Sequence, residues 1–263
     1  MLTKLLKYDL KYMIKNMIIF YILTILFAII TRIFFSFKET VMINIISQIS
    51  VGCMFSMIAN TLINTMMRSW IRFRDSIYKD EAYLTHTLPV TKNDIYNSKF
   101  LETLIFFVIG FIVVILSLFI AYYTKERWLI LKGFINTITT GLEFNTTIFI
   151  LSFILIIFLE IFNAIQCGFL GIILGYQKNN NKIGFSVLFG FIAYLLAQSI
   201  VLLLVYISGF FNSSIMNLFK SNILLDTTSF KLLVFLSIIL YLLIILVMSI
   251  ICKKEFNKGV NIE

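Results

Sequence analysis

Residues 68–99 read RSWIRFRDSIYKDEAYLTHTLPVTKNDIYNSK, the one long polar stretch in this chain of 263 residues. It contains the only histidine, His86, and the only proline, Pro89. The whole sequence is 60% hydrophobic, with a mean hydropathy of +0.98. Soluble domains are about half apolar and about a quarter charged, whereas charged residues make up 13% here. A water-soluble fold of this length cannot hide so much apolar surface, and the excess must face lipid. The polar stretch therefore separates membrane-spanning segments, and its boundaries set where they begin and end.

Outward from it, six runs have the roughly 20 mainly apolar residues that a spanning helix needs: 17–37, 43–66, 101–123, 146–175, 184–209 and 230–252. They are too long, and alternate too little, for barrel strands. The expected fold class is an all-α membrane protein with six transmembrane helices. Its expected organisation is an interfacial helix at 1–16, spans one and two at 17–66, a loop at 67–100, spans three to six at 101–252 and a tail at 253–263. The fourth run is long for a simple crossing, which predicts tilt or a partly interfacial end.

Lysine and arginine in the flanking segments set orientation. One side carries Lys4, Lys7, Lys11 and Lys15, the basic residues of the polar stretch, Lys178, Lys182, Lys253, Lys254 and Lys258. The other carries only Lys38, Lys125, Arg127, Lys132 and Lys220. The first side is expected to be cytoplasmic, with both termini there, as an even number of spans requires. The formal charge of +9 is then a topology signal spread over several loops, and no nucleic-acid partner is expected. The first apolar run ends in no small-residue cleavage site, so no cleaved leader is expected. Cys53, Cys167 and Cys252 lie in apolar runs without metal-ligand spacing and read as reduced, buried thiols.

The opening MLTKLLKYDLKYMIKN places Leu2, Leu5, Leu6, Leu10, Met13 and Met17 on one helical side and Lys4, Lys7, Lys11 and Lys15 on the other. That pattern suits a helix lying in the membrane interface, either as an anchor or as a moving part. Within the polar stretch Trp70, Phe73, Ile77, Leu84 and Leu88 form a loose apolar stripe, which predicts a short amphipathic helix continuing from the second span. Pro89 lacks an N–H and disfavours helix at Leu88, so that helix should stop there. Thr91-Lys-Asn-Asp94 resembles a capping box and should start the next helix. The expected form is helix, sharp turn, helix, serving either as a connector or as a docking surface.

The string YKDEAYLTHTLPVTKNDIYNSKFL resembles the loop between the second and third spans of ABC-2 type transporter permeases, notably small bacterial ones. The likeness is carried by Tyr83, Leu84, Thr87, Leu88, Pro89 and Val90, followed by Ser98-Lys99 at the next span. The opening MLTKLLKYDLKY is similar to the N-terminal interfacial helix of those proteins. The resemblance implies a coupling helix at 75–89 that docks on a separate ATP-binding subunit. Its contacts would come from Asp75, Lys79, Asp80, Glu81, Tyr83, Leu84, His86, Thr87, Leu88 and Pro89. It also implies a second permease subunit, identical or related, in a bacterial cell membrane, and export of a peptide, drug or lipid. His86 reads either as a hydrogen-bonding contact or as a pH sensor.

Inside the spans, Glu160 stands near the middle of the fourth run, where a carboxylate costs about 2.5–3.5 kcal/mol on insertion scales. Asn163 and Gln166 follow roughly on its side. Gly52, Ser56, Asn60 and Asn64 recur every fourth residue in the second run, and Arg32 and Gln198 lie in the first and fifth. These groups either line a translocation path or join helices through polar contacts; Glu160 has Arg32 as a possible ion-pair partner. Gly171-Ile-Ile-Leu-Gly175 matches the small-residue helix-contact motif. No Walker A string, metalloprotease motif or nucleophile elbow occurs, so the chain is expected to be no enzyme and to need no cofactor or metal. The competing expectation is an ATPase-independent carrier or membrane anchor.

Overall fold

The computed structural model describes residues 2–37, 40–79, 81–216, 219 and 227–259. Among these residues the structure is helical, without strands. In chain order the helices are α1 (Leu2–Ser36), α2 (Val41–Tyr78), α3 (Ala82–Thr87), α4 (Lys92–Tyr122), α5 (Lys125–Gly141), α6 (Thr146–Tyr176), α7 (Lys182–Phe211), α8 (Ser213–Met216) and α9 (Thr227–Asn257). Six of them, α1, α2, α4, α6, α7 and α9, are long and apolar enough to cross a membrane. The all-α membrane class with six spans is therefore what the chain adopts. Asp80, Lys38 and Lys220 lie outside the described residues.

The chain forms two compact units, residues 1–129 and 130–263. In the first, α1, α2 and α4 pack together. Met13, Met17 and Phe106 form one apolar cluster, and Ala28, Met54, Ile58 and Ala121 another. Hydroxyls also join the helices: Thr24 and Thr61, between the clusters, lie 2.6 Å apart, and Thr31, beyond the second, donates to the Ser50 carbonyl at 3.2 Å. Arg32 donates to the Tyr123 carbonyl in the same unit.

Residues 2–16 are not a separate element. They continue into the first span as one helix of 35 residues, because no glycine or proline interrupts the run. Asn16 at the junction bonds back to the Tyr12 carbonyl at 3.0 Å. The row Leu10, Met13 and Met17, expected to meet lipid, packs on Phe106, Phe20 and Tyr21 instead. With 38 residues in α2 and about 1.5 Å per residue, α1 and α2 each exceed the roughly 30 Å hydrocarbon core. Their polar ends, 2–16 and 67–78, are the excess.

In the second unit α6 packs on α7 and α9. The close contact expected at Gly171 and Gly175 is present: a Cβ on either would run into the backbone of α7 at Ser186. No disulfide forms; Cys167 and Cys252 are buried and Cys53 is half-buried. Most of the segment between Tyr123 and the fourth apolar run is the helix α5.

Candidate functional site

The polar stretch is more helical than its sequence suggests. α2 runs on to Tyr78 and α4 begins at Lys92, which leaves only 79–91 for the turn. The single amphipathic helix expected up to Pro89 is split: Lys79 leaves the helical region with φ −117 and ψ −140, and α3 follows as a separate helix. The physical reason lies in Glu81. Its carboxylate accepts from Arg72 Nη1 through both oxygens at 2.7 Å, which turns the chain back on α2. The His86 ring nitrogen Nε2 meets the Ile77 carbonyl at 3.1 Å and holds the other end of α3.

α3 stops at Leu88, ahead of Pro89, as expected. Thr91 caps α4, accepting from the Asp94 N–H at 3.2 Å, while its hydroxyl donates to the Asp94 carboxylate at 2.9 Å. Aspartate is too short to complete the reciprocal half of a capping box, so it bonds the capping hydroxyl instead.

The centre of the site is Asp9, which sequence reasoning left out. It is 3% exposed and ties three helices together. Arg72 of α2 donates to its Oδ1 through Nε at 3.2 Å and Nη2 at 2.9 Å. Lys99 of α4 donates to the same oxygen at 2.5 Å, and the Ser98 hydroxyl to Oδ2 at 3.0 Å. The Arg72 guanidinium also lies 4.3 Å above the Tyr12 ring. Glu102, one turn beyond Lys99, is buried, and its Oε1 has no hydrogen-bond partner among the described residues. From sequence Arg72 reads only as an orientation signal, and Lys99 as one that also belongs to the Ser98-Lys99 pair of the resemblance. The available clue to Asp9 is its register: it stands four residues before Met13 and eight before Met17, in the buried row of α1. An acid in that row needs cations opposite it.

The sequence-predicted contacts divide. Tyr83, Leu84, Thr87, Leu88 and Pro89 are exposed. Asp75 is half-buried beside Arg74, which donates to it at 2.8 Å. Lys79 and His86 are half-buried, and Glu81 is engaged with Arg72. The apolar stripe separates likewise: Phe73 and Ile77 are core, while Leu84 and Leu88 stand outside it.

Of the candidate path residues, Asn60 and Asn64 belong to the first unit and Glu160, Asn163 and Gln166 to the second. Asn64 donates to the Asn60 carbonyl at 2.9 Å. Their stripe lies on the outer side of α2, with Gly52 and Ser56 exposed, while Thr61, Thr65 and Ser69 face inward. Asn163 and Gln166 are fully buried and Glu160 is half-buried. No group of three or more histidine, cysteine or acidic residues suited to a metal ion occurs among the described residues. No family model, curated protein or solved structure matches the chain.

Proposed function

We propose that this protein is the membrane-spanning permease subunit of an ABC-2 type exporter, working with separate ATP-binding subunits and a second permease in a bacterial cell membrane. In this reading its own chain carries no ATPase chemistry, and the cytoplasmic side is the side of α3. The observation that carries the reading is the form of the 79–91 segment. A six-residue helix presents Tyr83 and Leu84, 67% and 72% exposed, between the ends of two spanning helices. Solvent-facing apolar and aromatic side chains at a fixed bend are what a protein partner buries.

Three features support a mechanical role for this bend. It is short, so little entropy is lost in holding it. It is braced through Arg72 to the buried Asp9, so a push on α3 meets a stiff support. The braced ends of α1, α2 and α4 continue without a break into spans, so displacement there reaches the membrane as rigid-body motion. The cargo class of peptide, drug or lipid stays with the sequence resemblance.

The test is co-purification of the full chain with the product of any P-loop ATPase gene found beside its own. Wild type is expected to retain the ATPase subunit, and Tyr83→Asp to lose it while still inserting in the membrane. Retention by Tyr83→Asp, or no association in wild type, overturns the reading.

A further inference from the structure

α3 is fastened at its two ends and spans a space. Glu81 grips Arg72, His86 meets the Ile77 carbonyl, and α3 lines one side of a half-open pocket of about 390 Å³. Its walls include Leu5 and Tyr8 of α1 and Leu84 and Leu88 of the 79–91 segment, and Asp9 and Lys99 also line it. At about 30 Å³ per molecule of liquid water, this is room for several waters or for a pair of leucine side chains. Leu84 and Leu88 border the cavity, yet they are 72% and 44% exposed. Movement into it would remove apolar surface from water, the favourable direction.

The fastening is unequal along its length. From α3 inward it runs Glu81, Arg72, Asp9, then Lys99 and Ser98, all charge-assisted or hydroxyl bonds between 2.5 and 3.2 Å. The Glu81 side chain is 44% exposed and that of Asp9 is 5% exposed. Water can replace Arg72 at Glu81 at small cost, as for any half-exposed pair. At Asp9 it cannot, because separation strands a buried charge. The softer link is therefore Glu81–Arg72, through which a push on α3 bears on Arg72, and the stiffer is Arg72–Asp9.

We propose that α3 is a strap that closes over this cavity, and that Asp9 is the positioning residue through which its displacement reaches α1 and α4. The strap is a property of the chain itself; the inference rests on the permease reading only for its trigger, an ATP-binding subunit pressing on the outer face of α3. Closure seats Leu84 and Leu88 against Leu5 and Tyr8. The charge chain then carries the shift to the helices that hold Lys99 and Asp9.

Amide hydrogen exchange on the full chain in lipid nanodiscs, without any ATPase subunit, tests the fastening. Glu81→Gln is expected to speed exchange across 82–87 by about threefold, the effect of losing one half-exposed link, and to leave the spans unchanged. Asp9→Asn should speed the same amides, Asp9→Glu should restore much of their protection, and the double variant should exceed neither single by more than about twofold. Wild-type exchange at 82–87 in Asp9→Asn, or increases that multiply in the double variant, overturns the relay. If Asp9→Asn does not fold, Arg72→Lys, which keeps the charge but not the fork, is expected to give the same acceleration, and its absence is equally decisive.

Closure is tested by oxidising Leu5→Cys with Leu84→Cys in a chain whose native cysteines are serine. A disulfide is expected, and its absence overturns the strap. Failure of an ATPase subunit to co-purify would leave both measurements as they stand, so the two readings fail separately.

Discussion

At the residue scale the decisive group is Asp9, a carboxylate buried among two cations and a hydroxyl. Removing it leaves Lys99 without its ion-pair partner in the interior and Arg72 with only the half-exposed Glu81. Asp9→Ala is expected to destabilise the fold by about 3–5 kcal/mol, the cost of breaking a buried pair from one side. Thr61→Val removes the 2.6 Å contact with Thr24 and should cost less than about 1 kcal/mol, because polar contacts between membrane helices average about 0.6. Unfolding in detergent with increasing SDS ranks the two. Equal costs would mean that Asp9 is hydrated in solution and holds nothing together. Both residues are buried and polar, so the difference comes from net charge and not from burial.

At the element scale the glycines of α6 and α7 distinguish packing from mere helix flexibility. A Cβ on Gly171 would meet the Gly190 nitrogen at 2.5 Å and the Ser186 carbonyl, both backbone atoms that cannot rotate away. One on Gly190 would find its nearest atom at 3.5 Å, an ordinary contact, and one on Gly52 would find nothing within 4 Å. Gly171→Ala is thus expected to push α6 and α7 apart and lower the thermal midpoint of the purified protein. Gly190→Ala should be nearly neutral. Gly52→Ala should be neutral or stabilising, by up to about 1 kcal/mol of helix propensity. A harmless Gly171→Ala would contradict the close approach of the two helices. The GxxxG spacing was visible in the sequence, and Ser186-Val-Leu-Phe-Gly190 repeats it in α7 as a small-residue pair four apart, but only the packed helices show that the two stripes face each other.

At the scale of the whole molecule, six long apolar helices require the chain to begin and end on one side of the membrane. The excess of lysine and arginine predicts that side to be cytoplasmic. Tags fused to the N- and C-termini are therefore expected to be digested together by protease added to inside-out vesicles, and to be protected together in right-side-out ones. Opposite sidedness would remove one of the six helices from the bilayer. The count of spans was legible because lipid acts on every residue of a span at once, so about 20 apolar residues suffice to mark it. The continuity of α1 through Asn16 was less legible. Its first turns look like an interfacial helix by composition, and only the apolar partners Phe106 and Tyr21 draw them into the bundle.

The sequence by itself determined the class, the six spans, the stop before Pro89 and the Thr91 cap, because each follows from solvent or from local backbone chemistry. Only the tertiary structure decided that α3 folds back on α2, that Leu84 and Leu88 stay outside the core while Phe73 and Ile77 enter it, and that Asp9, Arg72 and Lys99 meet. Arg72 and Lys99 stand 63 and 90 positions from Asp9 along the chain, and long-range ion pairs leave no periodic trace. A lysine that orients a helix and a lysine that completes a buried knot look alike until the helices are packed.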